Sequence, residues 1–182
     1  MDPLWDACED CERDRAAEQS AGMVQSAGVL LWRTGPDEGV EVFVAHMGGP
    51  FWQHRPRAWS VPKGEHAADE SPLDAAVREF AEEIGVPVPD VPLVLLGTFR
   101  QASGKRVTVF AGHAQDFDVA EVRSNTVRLE LPRGSGRFVD VPEVDQAQWV
   151  PVDQARELLV AGQVPALDAL LSVVRAPSID LT

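Results

Sequence analysis

The chain has 182 residues, 45% of them hydrophobic and 25% charged, which suits one folded domain with a sizeable core and leaves little room for a second. Its net charge of −13, with two lysines and fourteen arginines against 29 acids, argues against attachment to a nucleic-acid polymer. No apolar run reaches the ~18–20 residues of a bilayer span, so no membrane partner is expected.

The first twenty residues hold seven acids and two arginines. The opening MDPLWDACED lacks the basic-then-apolar pattern of a secretory signal, so a cytoplasmic location is expected. Cys8 and Cys11 form a CEDC pair, but two cysteines are only half of a zinc site. Residues 1–24 read as a disordered acidic tail, 25–176 as the folded domain, and 177–182 as a short C-terminal tail.

SAGVLLWR (26–33) reads as a buried strand, TGPDEG (34–39) as a turn, and VEVFVAHM (40–47) as a second strand. GGPFWQHRPR (48–57) is then a loop with aromatic and basic side chains, and AWSVP (58–62) a short strand. Ser71 to Ile84 carries the strongest helix signals: a serine cap, Pro72 at the first position, and Asp74 three residues after the cap. Leu73, Val77, Phe80 and Ile84 predict one apolar stripe, and Gly85 suits the C-terminal turn. Residues 91–115 predict two strands joined by QASGK, NTVRLEL (125–131) a further strand, and LPRGSGR (131–137) a loop. AQWVPV (147–152) predicts a short strand leading into a helix from Asp153 to Val160, and a last helix covers roughly 166–174. The pattern is α/β with a mixed sheet.

REFAEEIG (78–85) raises a physical question, because Glu79, Glu82 and Glu83 share about one turn, on a side largely opposite the stripe. Like charges at i and i+4 cost about 0.2–0.5 kcal/mol, so the face is either simply solvated or built for a cation. Alone, an EE pair on a helix is usually a wet surface. The wider register decides between the two: Gly64, Glu70, Arg78, Glu79, Phe80, Glu82, Glu83, Gly85 and Val86 fill every slot of Gly, five residues, Glu, seven residues, Arg-Glu, apolar, any, Glu-Glu, any, Gly, apolar. Spacing of i, i+3 and i+4 aims three carboxylates at one small cluster, and Mg²⁺ or Mn²⁺ takes such oxygen ligands together with water and phosphate. A bound cation reverses the repulsion.

This segment resembles the Nudix box, with Phe80 as a mild departure from the usual aliphatic slot. The resemblance implies an α/β/α sandwich and a hydrolase that cleaves a phosphoanhydride bond of a nucleotide, using Mg²⁺ or Mn²⁺ to activate water. It implies that Glu79, Glu82 and Glu83 ligate metal with the backbone carbonyl of Lys63, and that Arg78 pairs with a carboxylate such as Glu70 to orient the loop on the helix. An acid outside the box is expected to complete the site, with Glu143 of PEVDQAQW (142–149) first and Glu130 and Asp145 as competitors. HMGGPFW (46–52), AWSVPKGE (58–65) and SNTVRLELP (124–132) extend the resemblance to bacterial nucleotide pyrophosphohydrolases, and the PKG before the box to diadenosine tetraphosphate hydrolases.

Lys63, Arg55, Arg57 and His54 lie near the box as candidate phosphate contacts, and Phe51, Trp52 and Trp59 as candidate base-stacking surfaces. For each aromatic, core or loop packing is the competing reading. The expected substrate is a nucleoside triphosphate or dinucleoside polyphosphate. The alternatives are an NDP-sugar or other NDP-X metabolite, and a non-catalytic nucleotide sensor.

Overall fold

The computed structural model describes residues 25–102 and 104–175; the acidic tail with its CEDC pair and residues 176–182 lie outside them. In chain order the elements are β1 (Gln25–Thr34), β2 (Val40–Met47), β3 (Trp59–Ser60), β4 (Lys63–Glu65), α1 (Pro72–Ile84), β5 (Leu93–Arg100) and β6 (Arg106–His113). They continue with β7 (Thr126–Glu130), β8 (Phe138–Pro142), β9 (Val144–Pro151), α2 (Val152–Leu158) and α3 (Val164–Arg175), with a 3₁₀ turn at Ala161–Gln163. No helix among the described residues is long and apolar enough to cross a membrane.

Strand β1 organises the sheet. One edge pairs in parallel with β6, from Gln25↔Arg106 to Trp32↔His113. The other edge is divided: β4 takes Ser26 to Gly28 and β2 takes Trp32 to Thr34, both antiparallel. Strand β2 is divided in the same way, with β9 along one edge and β1 and β3 sharing the other. The β1–β2 hairpin therefore opens away from its turn, and residues 59–65 fill the wedge. Strand β5 closes the far side against β6.

Period-two alternation splits the core into two layers. Ala27, Val29, Leu31, Phe43 and Ala45 meet Ala75, Ala76, Phe80 and Ile84 of α1. Leu30, Val42, Val44, Val107 and Val109 meet Ala155, Leu167 and Leu170 of α2 and α3. With both faces covered, β1 reads as a nearly continuous apolar run, and the architecture is an α/β/α sandwich with a mixed sheet.

The structure corrects several expectations. The predicted stripe on α1 is rotated: Leu73 is 39% exposed and Val77 37%, whereas Ala75 and Ala76 are fully buried beside Phe80 and Ile84. Small side chains let the helix sit close to β1, and that approach decides which face goes in. Lys63–Glu65, just beyond the short strand expected at 58–62, pairs with β1 as β4. Strand β7 leaves the main sheet for a separate hairpin with β8, which lies beyond the predicted loop 131–137. Strand β9 starts at Val144, three residues earlier than its apolar pattern suggests, because β2 offers it a full edge.

Candidate active site

Helix α1 is held at both ends by its own sequence. Ser71 Oγ accepts the Asp74 N–H at 3.1 Å, and Pro72 occupies the first turn, where no donor is needed. Gly85 has φ 86° and donates its N–H to Ala81 O at 2.9 Å. A Cβ there would also come within 2.7 Å of Arg123, so both backbone and space require glycine.

The rotation of α1 carries two of its three glutamates inward. Glu79 and Glu83 are each only 8% exposed, while Glu82 stays half-exposed on the rim. The expectation that all three lie opposite the buried face therefore fails for Glu79 and Glu83, which flank it. Burial pushes both carboxyls above their usual range, Glu83 up to about 7. Nearby Glu143 adds to both effects, whereas Arg78 opposes the shift at Glu79 and Lys63 opposes it at Glu83.

Arg78 ties the segment together. Its Nε and Nη2 grip Glu70 at 2.9 and 3.0 Å, its Nη1 reaches Glu79 at 2.7 Å and Glu82 at 3.2 Å, and Nη2 also donates to Glu65 O at 3.2 Å. These bonds, Glu70 foremost, hold the guanidinium charged and lower the Glu70 carboxyl. Arg78 thus spans the box from its loop to its helix.

Lys63 follows from the ladder. Val29 donates to Pro62 O and His66 to Gln25 O, so Lys63, one residue out of that alternation, turns its N–H and C=O away from β1. The N–H donates to Glu83 Oε2 at 2.8 Å. Gly64 lies directly against the helix: a Cβ there would overlap the Glu79 carboxylate.

These groups line a pocket of about 340 Å³ with Glu65, Glu82, Lys105, Asn125 and Glu143. Glu143 is brought in by the segment before β7: Asn125 donates its N–H to Glu82 O at 3.0 Å and accepts the Glu143 N–H at 3.0 Å. Ser124 Oγ accepts the Val144 N–H at 3.1 Å. Of the competitors, Glu130 accepts the Gly136 N–H at 2.6 Å in the β7–β8 turn, and Asp145 pairs with His46 Nδ1 at 2.6 Å. Neither lines the pocket.

Six expected substrate contacts, Phe51, Trp52, His54, Arg55, Arg57 and Trp59, are not brought there either. Arg57 donates to Arg156 O and Leu159 O at 2.8 and 3.0 Å, closing the C-terminal end of α2. Trp59 packs on the α2–α3 core and edge-on to His46. The Arg55 guanidinium lies 5.4 Å from the Trp52 ring centroid, and that pair stays in loop 48–57. Asn125, Glu65 and Lys105 escaped the sequence reading of the site, because Asn125 arrives by backbone bonds and the others by strand register.

As placed, the carboxylates are engaged by Arg78 and the Lys63 N–H, and no ready-made cage of acids, histidines or cysteines occurs among the described residues. The donor set nonetheless suits a hard divalent cation: five glutamates around one pocket, two of them buried against their charge. Such burial is costly until positive charge enters.

The NUDIX domain family matches residues 24–170. An 8-oxo-(d)GTP phosphatase of Mycolicibacterium smegmatis is 31% identical over 169 residues, covering 87% of this chain and 44% of that protein. A nucleoside triphosphate pyrophosphatase/Nudix hydrolase fusion protein of Bifidobacterium longum is 28% identical over 140 residues, 75% of this chain and 25% of that one. The chain thus spans less than half the length of these two relatives. A solved Ap4A hydrolase of C. elegans in binary complex superposes with TM-score 0.60 at 16% identity, covering 82% of this chain and 97% of the other, which bears on the fold. With the family match running through nearly the whole described region, box included, the chain belongs to the Nudix family.

Proposed function

We propose that this chain hydrolyses a phosphoanhydride bond of a nucleotide, either a nucleoside triphosphate or a dinucleoside polyphosphate. The observation that carries the reading is the pocket itself, where the buried Glu79 and Glu83 meet Glu82, Glu143 and two lysines. The name of the mycolicibacterial relative supports a nucleoside triphosphate as the class.

Glu79, Glu82, Glu83 and the Lys63 carbonyl would hold Mg²⁺ or Mn²⁺, which supplies charge neutralisation and water activation when bound. Glu143, tethered to the end of α1 through Asn125, would accept the proton of the attacking water. The Lys63 ammonium steadies a phosphate, and Arg78 keeps loop and helix in register.

The test is release of phosphate or nucleotide from a panel of NTPs, dinucleoside polyphosphates and NDP-sugars, with Mg²⁺, Mn²⁺ or chelator. Turnover is expected only with the cation. Glu82→Gln is expected to remove it while circular dichroism stays unchanged, because Glu82 is on the rim and supports no core contact. Tight nucleotide binding with no turnover on any substrate would replace this reading with a sensor, and turnover confined to NDP-sugars would replace the substrate class.

A further inference from the structure

The chain contains two lysines, and both line the same acidic pocket, while no arginine among the described residues does. Lys63 enters on β4. Lys105 enters from the other side of β1, at the end of the β5–β6 turn and one residue before β6. That turn fixes its backbone: Gln101 donates to Lys105 O at 2.9 Å, and Gly104, with φ 87°, donates to Gln101 O at 2.9 Å. From there the ammonium reaches Glu65 at 3.1 Å. Strand β1 lies between β4 and β6, so the lysine arm crosses the start of β1 to do so.

We propose that Lys105 is a specificity residue that exchanges Glu65 for a phosphate of the substrate's polyphosphate chain, making the site prefer three or more phosphates over two. The inference rests on the nucleotide hydrolase reading above. Its partner is easily surrendered, since Glu65 is 67% exposed and an ion pair so open to water is weak. The lysine itself is only 23% exposed and lines the pocket wall. A compact ammonium suits a phosphate oxygen as a point charge. The pocket, at about 340 Å³, lies near the small end of ligand sites and suits a phosphate chain better than a whole nucleotide. Two cations entering from either side of β1 can hold successive phosphates across the carboxylates; a two-phosphate conjugate offers its second neighbour a sugar instead.

The competing account makes Lys105–Glu65 a pair that merely fastens the turn. Calorimetric binding of ATP and of ADP-ribose to the full chain separates them, because only the exchange moves ATP affinity, and in opposite directions when each partner of the pair is replaced. Lys105→Gln is expected to weaken ATP at least tenfold and ADP-ribose less than twofold, with Lys105→Arg restoring most of the loss. Glu65→Gln frees the ammonium and is expected to tighten ATP twofold to fivefold. A fastening pair would give both glutamine variants the same drop in melting temperature and leave both affinities unmoved, overturning the inference. Equal losses for ATP and ADP-ribose in Lys105→Gln would overturn it as well. Failure of the hydrolase reading shows separately, as absence of cation-dependent turnover in a wild-type chain that still prefers ATP.

Discussion

Glu83→Gln is expected to lower turnover by a factor on the order of 10³ and yet leave the metal-free protein at least as stable as wild type at pH 8. Burial raises the Glu83 carboxyl from 4.5 to about 7. An acid with a raised folded pKa binds its proton more tightly when folded, so the native state loses stability as pH climbs from 4.5 to 7. Over that window the loss from this one group is at most about 3 kcal/mol. Glutamine removes the charge but keeps an amide oxygen to accept the Lys63 N–H, so the helix–strand contact survives. Chemical denaturation at pH 4.5 and pH 8 in chelator checks this, with the difference between wild type and variant isolating Glu83 from Glu79, which shifts in the same direction. A variant less stable than wild type at pH 8 would show that the buried carboxylate is not held against its charge.

Gly64→Ala is expected to damage both stability and turnover through a single methyl group. The new Cβ would occupy the place of the Glu79 carboxylate, and neither wall yields easily. The backbone is fixed by the Ala27↔Gly64 register, and Glu79 is held on the other side by Arg78 at 2.7 Å. Overpacking of this kind costs about 1–3 kcal/mol. Expelling Glu79 also breaks its Arg78 bond and removes one carboxylate from the pocket, so turnover is expected to fall by about 10² or more. Thermal melts and the hydrolysis panel measure the two effects. Near-wild-type activity would mean that Glu79 can leave its place without consequence.

Much of this arrangement is legible in the sequence where a residue acts locally. Ser71, Pro72 and Gly85 announce the ends of α1 because a cap needs only its own neighbours. The box register names the acids because their spacing is a property of the helix. The inward face of α1 was not legible, since Leu73 and Val77 look more apolar than Ala75 and Ala76. Close contact with a strand favours the smaller pair, and helix periodicity alone does not show what lies across the interface. Arg57 illustrates the same limit. Its sequence position beside the box suggests phosphate, but the carbonyls of Arg156 and Leu159, a hundred residues away, claim it first. Lys105 is the converse: forty residues from Glu65 in sequence, it joins the pocket through strand pairing.

The parallel pairing of β1 with β6 has a consequence for how the chain is made. Gln25 to Trp32 pair with residues 81 positions later, so half of the central strand's backbone partners are synthesised long after the strand itself. Until Arg106 to His113 emerge, Ala27, Val29, Leu30 and Leu31 hold an apolar ribbon with one open edge, a template for pairing with other chains. Contacts this distant in sequence also slow folding. A ribosome-stalled chain ending before residue 106 should therefore carry its complete Glu-rich segment and still lack protease protection, which should appear only after β6 has cleared the exit tunnel.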